Sequence, residues 1–134
     1  MKKGRKFLIG FLCGLLALIL VACVVFFRYW PRYLEERPIL DIRPPEDSIR
    51  IMSANLRCLT PLDLGEKSWF YRADLMAAEI ADQAPGIIGF QEATRWQYRY
   101  LVQAIPTYDS VIDYRDDTLL SEGCPIFYSK DCIP

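Results

Sequence analysis

Asn55 and Glu92 are the two side chains whose types and positions suggest chemistry. Glu92 closes the apolar run Pro85-Gly-Ile-Ile-Gly-Phe-Gln-Glu92. A carboxylate at the end of such a run is costly unless something pairs with it. A hard divalent cation is one such partner, because Mg²⁺ prefers oxygen ligands and often takes only one or two carboxylates from a protein. Asn55 closes Ile49-Arg-Ile-Met-Ser-Ala-Asn55. Its amide can donate to a phosphate oxygen and also orient a carboxylate. Each residue also has a plainer reading, a strand-terminal Glu facing water and a turn-starting Asn. What ties the two together is the segment between them.

That segment predicts a strand–helix–strand unit. Ile49, Ile51, Ser53 and Asn55 alternate with Arg50, Met52 and Ala54, the period of a strand. Pro61 and Gly65 mark a loop. From Tyr71 to Ala84 the apolar residues Ala73, Met76, Ala77, Ile80 and Ala84 share one helical face, and Pro85 ends the helix. Ile87–Glu92 is the second strand, with Ile88, Phe90 and Glu92 on one face. A helix between two strands makes a crossover, so the strands should be parallel and Asn55 and Glu92 should meet at one sheet edge. A second helix is expected over Arg95–Ile105, with Tyr98, Leu101, Val102 and Ile105 inward. Two further strands are expected at Tyr108–Tyr114 and Pro125–Tyr128, with a polar loop at Arg115–Gly123. The fold class is therefore α/β, carried by residues 48–134.

The first 47 residues read differently. Phe7–Phe27 is an unbroken apolar run, long enough for a helix to cross a lipid bilayer. Lys2, Lys3, Arg5 and Lys6 precede it and no acid occurs before Glu35. By the positive-inside rule residues 1–28 form a cytoplasmic basic tip and a single-pass signal anchor in the cell membrane, with the rest extracytoplasmic. The alternative is a lipoprotein anchored at Cys23, because Leu20-Val21-Ala22-Cys23 has the form of a lipobox. Residues 29–47 read as a Pro-rich linker in which Pro31, Pro38, Pro44 and Pro45 break any helix.

Composition excludes several function classes. The chain contains no histidine, so no His-based triad and no His-ligated zinc forms within it. Eleven of the sixteen basic residues follow Arg28, against all seventeen acids, a net of −6. An acidic domain does not favour nucleic acid as a partner. Arg95-Trp-Gln-Tyr-Arg-Tyr100 interleaves bases and aromatics, but at helical spacing it reads as an amphipathic helix. Asp116-Asp117 reads as solvated loop charge, with a second metal contact as the alternative. None of the five cysteines forms a C-x-x-C pair. One disulfide among Cys58, Cys124 and Cys132, or none, fits an exported domain.

Taken together, Ser53-Ala-Asn55-Leu-Arg57, Trp69-x-x-Arg72 and Pro85-Gly-Ile-Ile-Gly-Phe-Gln-Glu92 resemble the opening of the endonuclease/exonuclease/phosphatase family. Tyr114-Arg-Asp-Asp117 and Ser121-Glu-Gly-Cys-Pro-Ile-Phe-Tyr128 are similar to its next blocks. The resemblance implies a four-layered α/β sandwich, of which residues 48–134 would be the first part, the domain reading as truncated. It implies a phosphoesterase using Mg²⁺ or Mn²⁺ on a phosphate-ester substrate, which the apolar run Phe7–Phe27 would tether to the membrane. Glu92 matches the family's metal-binding Glu and Asn55 its active-site Asn. Gly86 departs from the family, which usually has Asp there. The family's catalytic histidine has no counterpart in a chain without histidine, so these residues are expected to be inactive on their own. The other class of reading is a non-catalytic, membrane-bound binding module.

The anchor reading is testable by topology. A reporter fused after Pro134 should be active only outside the cytoplasm; cytoplasmic activity would reverse the orientation. Cys23→Ala should leave electrophoretic mobility unchanged if the anchor is uncleaved, and should block processing if Cys23 is lipidated.

Overall fold

The structure is a computed structural model. It describes residues 2–34, 39–60, 62–119 and 121–132, with side chains from residue 4 to 28 in the first segment. It falls into two compact units, Met1–Glu36 and Arg37–Pro134.

The first unit is one helix, α1 (Lys2–Leu34), whose described side chains are all exposed. Its stretch Gly4–Arg28 is 25 residues long and apolar enough to cross a membrane. At 1.5 Å per residue it reaches about 37 Å, more than the roughly 30 Å of a hydrocarbon core. The expected helix break at Pro31 is corrected here, since the backbone stays helical to Leu34. Pro31 lies one turn from the end, where its missing N–H removes a single ladder bond. The linker reading also needs correction at its other end. Ile42 is 3% exposed and belongs to the core of the second unit, and the Leu40 N–H donates to the Ala104 carbonyl at 2.8 Å. Residues 35–38, including Pro38, lie outside the described residues.

In the second unit β1 (Ile51–Asn55) leads through a 3₁₀ turn at Gly65–Lys67 into α2 (Trp69–Gln83). Then come β2 (Ile87–Gln91), β3 (Ala93–Thr94), α3 (Arg95–Ala104) and β4 (Tyr108–Val111). The last elements are β5 (Glu122–Gly123) and β6 (Ile126–Ser129). The main sheet has the order β1-β2-β6-β4. β1 and β2 are parallel, as a helical crossover requires, and β6 runs antiparallel to both β2 and β4. β3 and β5 form a separate antiparallel ribbon.

Strand alternation sorts the main sheet into two faces. Ile88, Phe90, Phe127, Ser129 and Tyr108 are buried on one, and the half-buried Met52 and Ala54 pack beside them. Trp69, Ala73, Ala77 and Ile80 of α2 and Tyr100, Leu101 and Ala104 of α3 complete that core. Phe90 and Phe127 meet edge to face at 5.6 Å, a geometry worth about 0.5–1.5 kcal/mol beyond burial. Tyr108 donates to the Pro85 carbonyl, and burial pushes its phenol up to about 12. The opposite face carries Ile51, Val111 and Ile126, all exposed. No second sheet covers it among the described residues.

Several expectations shift. Leu101 and Ile105 are buried as expected and Tyr98 packs half-buried against the core, but Val102 is exposed and the inward face of α3 also takes Gln97, Tyr100 and Ala104. The rotation follows from Tyr100 packing edge to face on Trp69 at 5.5 Å and from Gln97 finding buried carbonyls to satisfy. The polar loop at Arg115–Gly123 contains β5, which alternation in two residues could not reveal. All five cysteines are free. Gly86 leaves little room for a larger residue, since a Cβ there would lie 3.3 Å from Ile49 Cγ2 and 3.4 Å from Cys132 Sγ.

α2 ends on Ala84 at φ 41° and ψ 57°, the left-handed cap that glycine adopts without strain. Ala84→Gly should therefore stabilise the second unit by about 0.5–1 kcal/mol. Urea unfolding of the whole chain, followed by tryptophan fluorescence, reads this directly. A lower midpoint would mean that the packing of the Ala84 methyl outweighs its strain.

Candidate functional site

The two strand ends do meet. Asn55 pairs in register with Gln91, so β1 and β2 finish side by side. Simple alternation would nevertheless turn Glu92 to the core face, with Ile88 and Phe90. It does not go there, because Glu92 adopts φ 55°. Left-handed backbone is uncommon for a residue with a side chain and marks a constrained position. The turn separates β2 from β3 and brings the carboxylate to Asn55. Asn55 Nδ2 donates to Glu92 Oε1 at 2.8 Å, and the Cys58 N–H donates to Glu92 Oε2 at 3.2 Å. These bonds hold the Glu92 carboxyl below its ordinary value, with the Asn55 amide the larger cause and Arg57 adding a smaller Coulombic pull. The carboxylate is thus ionised and fixed at both oxygens.

The loop after β1 is what presents the Cys58 N–H. Asn55 Oδ1 accepts from the Arg57 N–H at 2.7 Å, an Asx-type turn. Arg57 itself sits at φ 52°. The carbonyls exposed by this turn are taken by two side chains. Arg72 Nη1 donates to Leu56 O at 2.7 Å, and Gln97 Nε2 donates to Arg57 O at 2.9 Å. Gln97 is fully buried, and its own oxygen accepts from the Thr94 N–H at 3.0 Å, the helix-start half of a capping box. The Arg57 guanidinium forms a fork on Asp63, with both bonds at 2.8 Å. That hydrogen-bonded pairing lowers the Asp63 carboxyl and raises the Arg57 guanidinium.

Two groups that sequence pattern did not flag join the site. Cys58 Sγ and a carboxylate oxygen of Glu122 lie with a Glu92 oxygen in a cluster whose members are all within 4.8 Å of one another. Glu122 arrives through the β3–β5 ribbon, where it pairs in register with Thr94, two residues beyond Glu92. Gly123 permits that approach, since a Cβ there would fall 2.5 Å from the Asp113 carbonyl oxygen. The signal was present in Ser121-Glu-Gly-Cys, but nothing local distinguishes Glu122 from a loop acid. By contrast, Asp116 and Asp117 are exposed and outside the cluster. Asp116 accepts from the Thr118 N–H at 2.9 Å and hydroxyl at 2.6 Å, which lowers its carboxyl and orders the loop. A groove of about 490 Å³ opens over this region, lined by Asn55, Glu92, Tyr114, Arg115 and Glu122 among others. Tyr114 carries the Arg95 guanidinium over its ring at 4.2 Å, so the base–aromatic run is spent partly on internal packing. Trp96 remains 55% exposed on α3.

The Asp63 pair carries a pH signature. A carboxyl depressed in the folded state stabilises above its unfolded pKa, about 3.9, and loses that contribution as pH falls through the lower folded value. Asp63→Asn should therefore destabilise at pH 7. The gap from the parent should close as pH drops below about 4. Urea midpoints across that range measure it; a gap that stays constant with pH would assign the loss to packing.

Comparison with known proteins bears on this arrangement. No family model and no curated protein matches the chain. Solved structures do. An endonuclease/exonuclease/phosphatase from Bacteroides vulgatus superposes with a TM-score of 0.56 at 33% identity, over 62% of this chain and 32% of that one. A mannosyl-6-phosphatase from Bacteroides thetaiotaomicron gives 0.56 at 29% identity, over 63% and 32%. An endonuclease/exonuclease/phosphatase family protein from the same organism gives 0.56 at 28% identity, over 62% and 31%. The chain thus spans about a third of the length of the structures it matches. Over that third it has the partial fold of endonuclease/exonuclease/phosphatase proteins, as its motifs suggested.

Proposed function

We propose that this chain carries part of a metal-dependent phosphoesterase site, tethered to a membrane by α1. Glu92 holds a divalent cation, Mg²⁺ or Mn²⁺ on the family resemblance, and Asn55 orients the phosphate. The observation that carries the reading is the 2.8 Å bond from Asn55 to Glu92 at the mouth of the groove. Such a bond does two things. It holds an ionised carboxylate in one orientation, as an outer partner of a ligand does. It also leaves one N–H of the Asn55 amide for a phosphate oxygen. When bound, the cation would supply Lewis-acid stabilisation of charge on the phosphoryl oxygens. The donor set suits a cation, being anionic, partly shielded and open to the groove.

The substrate class is a phosphate ester. A sugar phosphate is the first candidate to assay, since one structural neighbour is named a mannosyl-6-phosphatase. The absence of histidine gives these 134 residues no imidazole to take a proton from water. We therefore expect metal binding without turnover. The same absence favours a second reading, a non-catalytic binding module, and the two share the metal but differ in whether a completed site hydrolyses its ligand.

Calorimetric titration of the chain with Mn²⁺ should show one site. Glu92→Gln keeps shape and removes charge, and should weaken binding by at least about 10-fold. Asn55→Ala should weaken it by roughly 10–100-fold through loss of carboxylate orientation. Equal affinity in Glu92→Gln would remove Glu92 from the site. Hydrolysis of mannose 6-phosphate or a generic phosphodiester by the parent, lost in Glu92→Gln, would show that the chain needs no histidine.

A further inference from the structure

We infer that Arg115 is the phosphate-selecting residue of this groove and that it favours phosphomonoesters over phosphodiesters. The inference rests on the reading that puts a cation at Glu92 and a phosphate at Asn55, and it narrows the substrate class of that same site. Arg115 is the one basic side chain among the described residues that line the groove, against the carboxylates of Glu92, Asp113 and Glu122. A phosphate entering past three acids gains from a positive group besides the cation. The other guanidinium groups near the site are already committed. Arg57 forks on Asp63, Arg72 holds the Lys67 and Leu56 carbonyls, and Arg95 lies over the Tyr114 ring.

Among the described residues the Arg115 side chain has a single bond, from Nη1 to Glu122 Oε1 at 3.2 Å, and it is 77% exposed. Such a pair is worth little, so a phosphate can displace it. The backbone beneath is fixed. Tyr114 bridges Gly123, and the Arg115 N–H donates to the Glu122 carbonyl at 3.0 Å. Only the side chain has to move. A Glu122 oxygen lies within 4.8 Å of a Glu92 oxygen, so the guanidinium stands one carboxylate away from the cation's residue. Selection then follows from the number of terminal oxygens. A phosphomonoester has three, one for the cation, one for the Asn55 amide and one for Arg115. Guanidinium is planar, stays charged and matches phosphate oxygens with paired N–H donors. A phosphodiester has only two terminal oxygens. Its third position is an ester oxygen, a weaker acceptor that carries an organic group where the guanidinium would sit. The monoester also carries the larger negative charge at neutral pH.

The experiment is calorimetric titration of the whole chain, loaded with Mn²⁺, using mannose 6-phosphate as the monoester and dimethyl phosphate as the diester. The parent should bind the monoester about 10-fold or more tightly than the diester. Arg115→Gln should cut monoester affinity about 10-fold and change diester affinity by less than about twofold. Its Mn²⁺ affinity and circular dichroism spectrum should match the parent's. Arg115→Lys keeps the charge but loses the fork, and should restore only part of the preference. Equal affinity of the parent for both esters, or monoester affinity unchanged in Arg115→Gln, overturns the inference and leaves the cation at Glu92 standing. An equal loss for both esters does the same, since it makes Arg115 a general source of charge. Mn²⁺-loaded parent that binds neither ester removes any ligand role for Arg115. Mn²⁺ that fails to bind, or binds equally well to Glu92→Gln, removes the Glu92 assignment and the inference with it.

Discussion

The carbonyls of Leu56 and Arg57 are the constraint on which the site depends. They follow the last residue of β1, where the chain turns and no strand is left to bond them. Buried carbonyls need partners, and leaving one unsatisfied costs about 1–3 kcal/mol. Arg72 from α2 and Gln97 from α3 supply those partners. Each helix is thereby tied to the same two peptide units. The fully buried Gln97 is the clearest sign, since an amide in a core is retained only where its hydrogen bonds are made. The loop so fixed presents the Cys58 N–H to Glu92 and sets Arg57 against Asp63.

Glu92 shows how backbone strain serves the site. Its left-handed backbone interrupts strand alternation at the one residue where alternation would have buried the carboxylate. Conformations of this kind persist when the surroundings over-determine them. Here β2 is locked between β1 and β6, the β3–β5 ribbon begins one residue later, and two hydrogen bonds hold the side chain. An ionised carboxylate beside a second carboxylate and a thiol is a poor arrangement for stability and a good one for a cation. The two carboxylates sit at sheet and ribbon ends, and the loop that carries Cys58 is tied down by Arg72 and Gln97, which suits a preorganised site.

The remaining architecture divides the labour between two units. α1 is apolar along a length that suits a bilayer, while the second unit carries fifteen of the seventeen acids and the groove. On the sheet face away from the helices, Ile51, Val111 and Ile126 stay exposed, so the helix-packed face carries the buried core of the main sheet.

Much of this was legible in the amino-acid order alone. The apolar run, the strand periods before Asn55 and Glu92, the helix between them and the family-like motifs are all local patterns, and local patterns survive without tertiary information. Parallel pairing followed from the crossover length. What only tertiary structure decided was whatever depends on residues far apart in the chain. The turn that carries Glu92 to Asn55 requires a positive φ that no residue type announced. The inward rotation of α3 depends on which carbonyls Gln97 can reach, and those belong to residues forty positions earlier. Pro31 reads as a breaker by type, yet near a helix end it removes too little to break one. Cys58 and Glu122 are ordinary loop residues in sequence. They become neighbours of Glu92 because a turn and a two-residue ribbon, each too short to have a period, bring their backbones together.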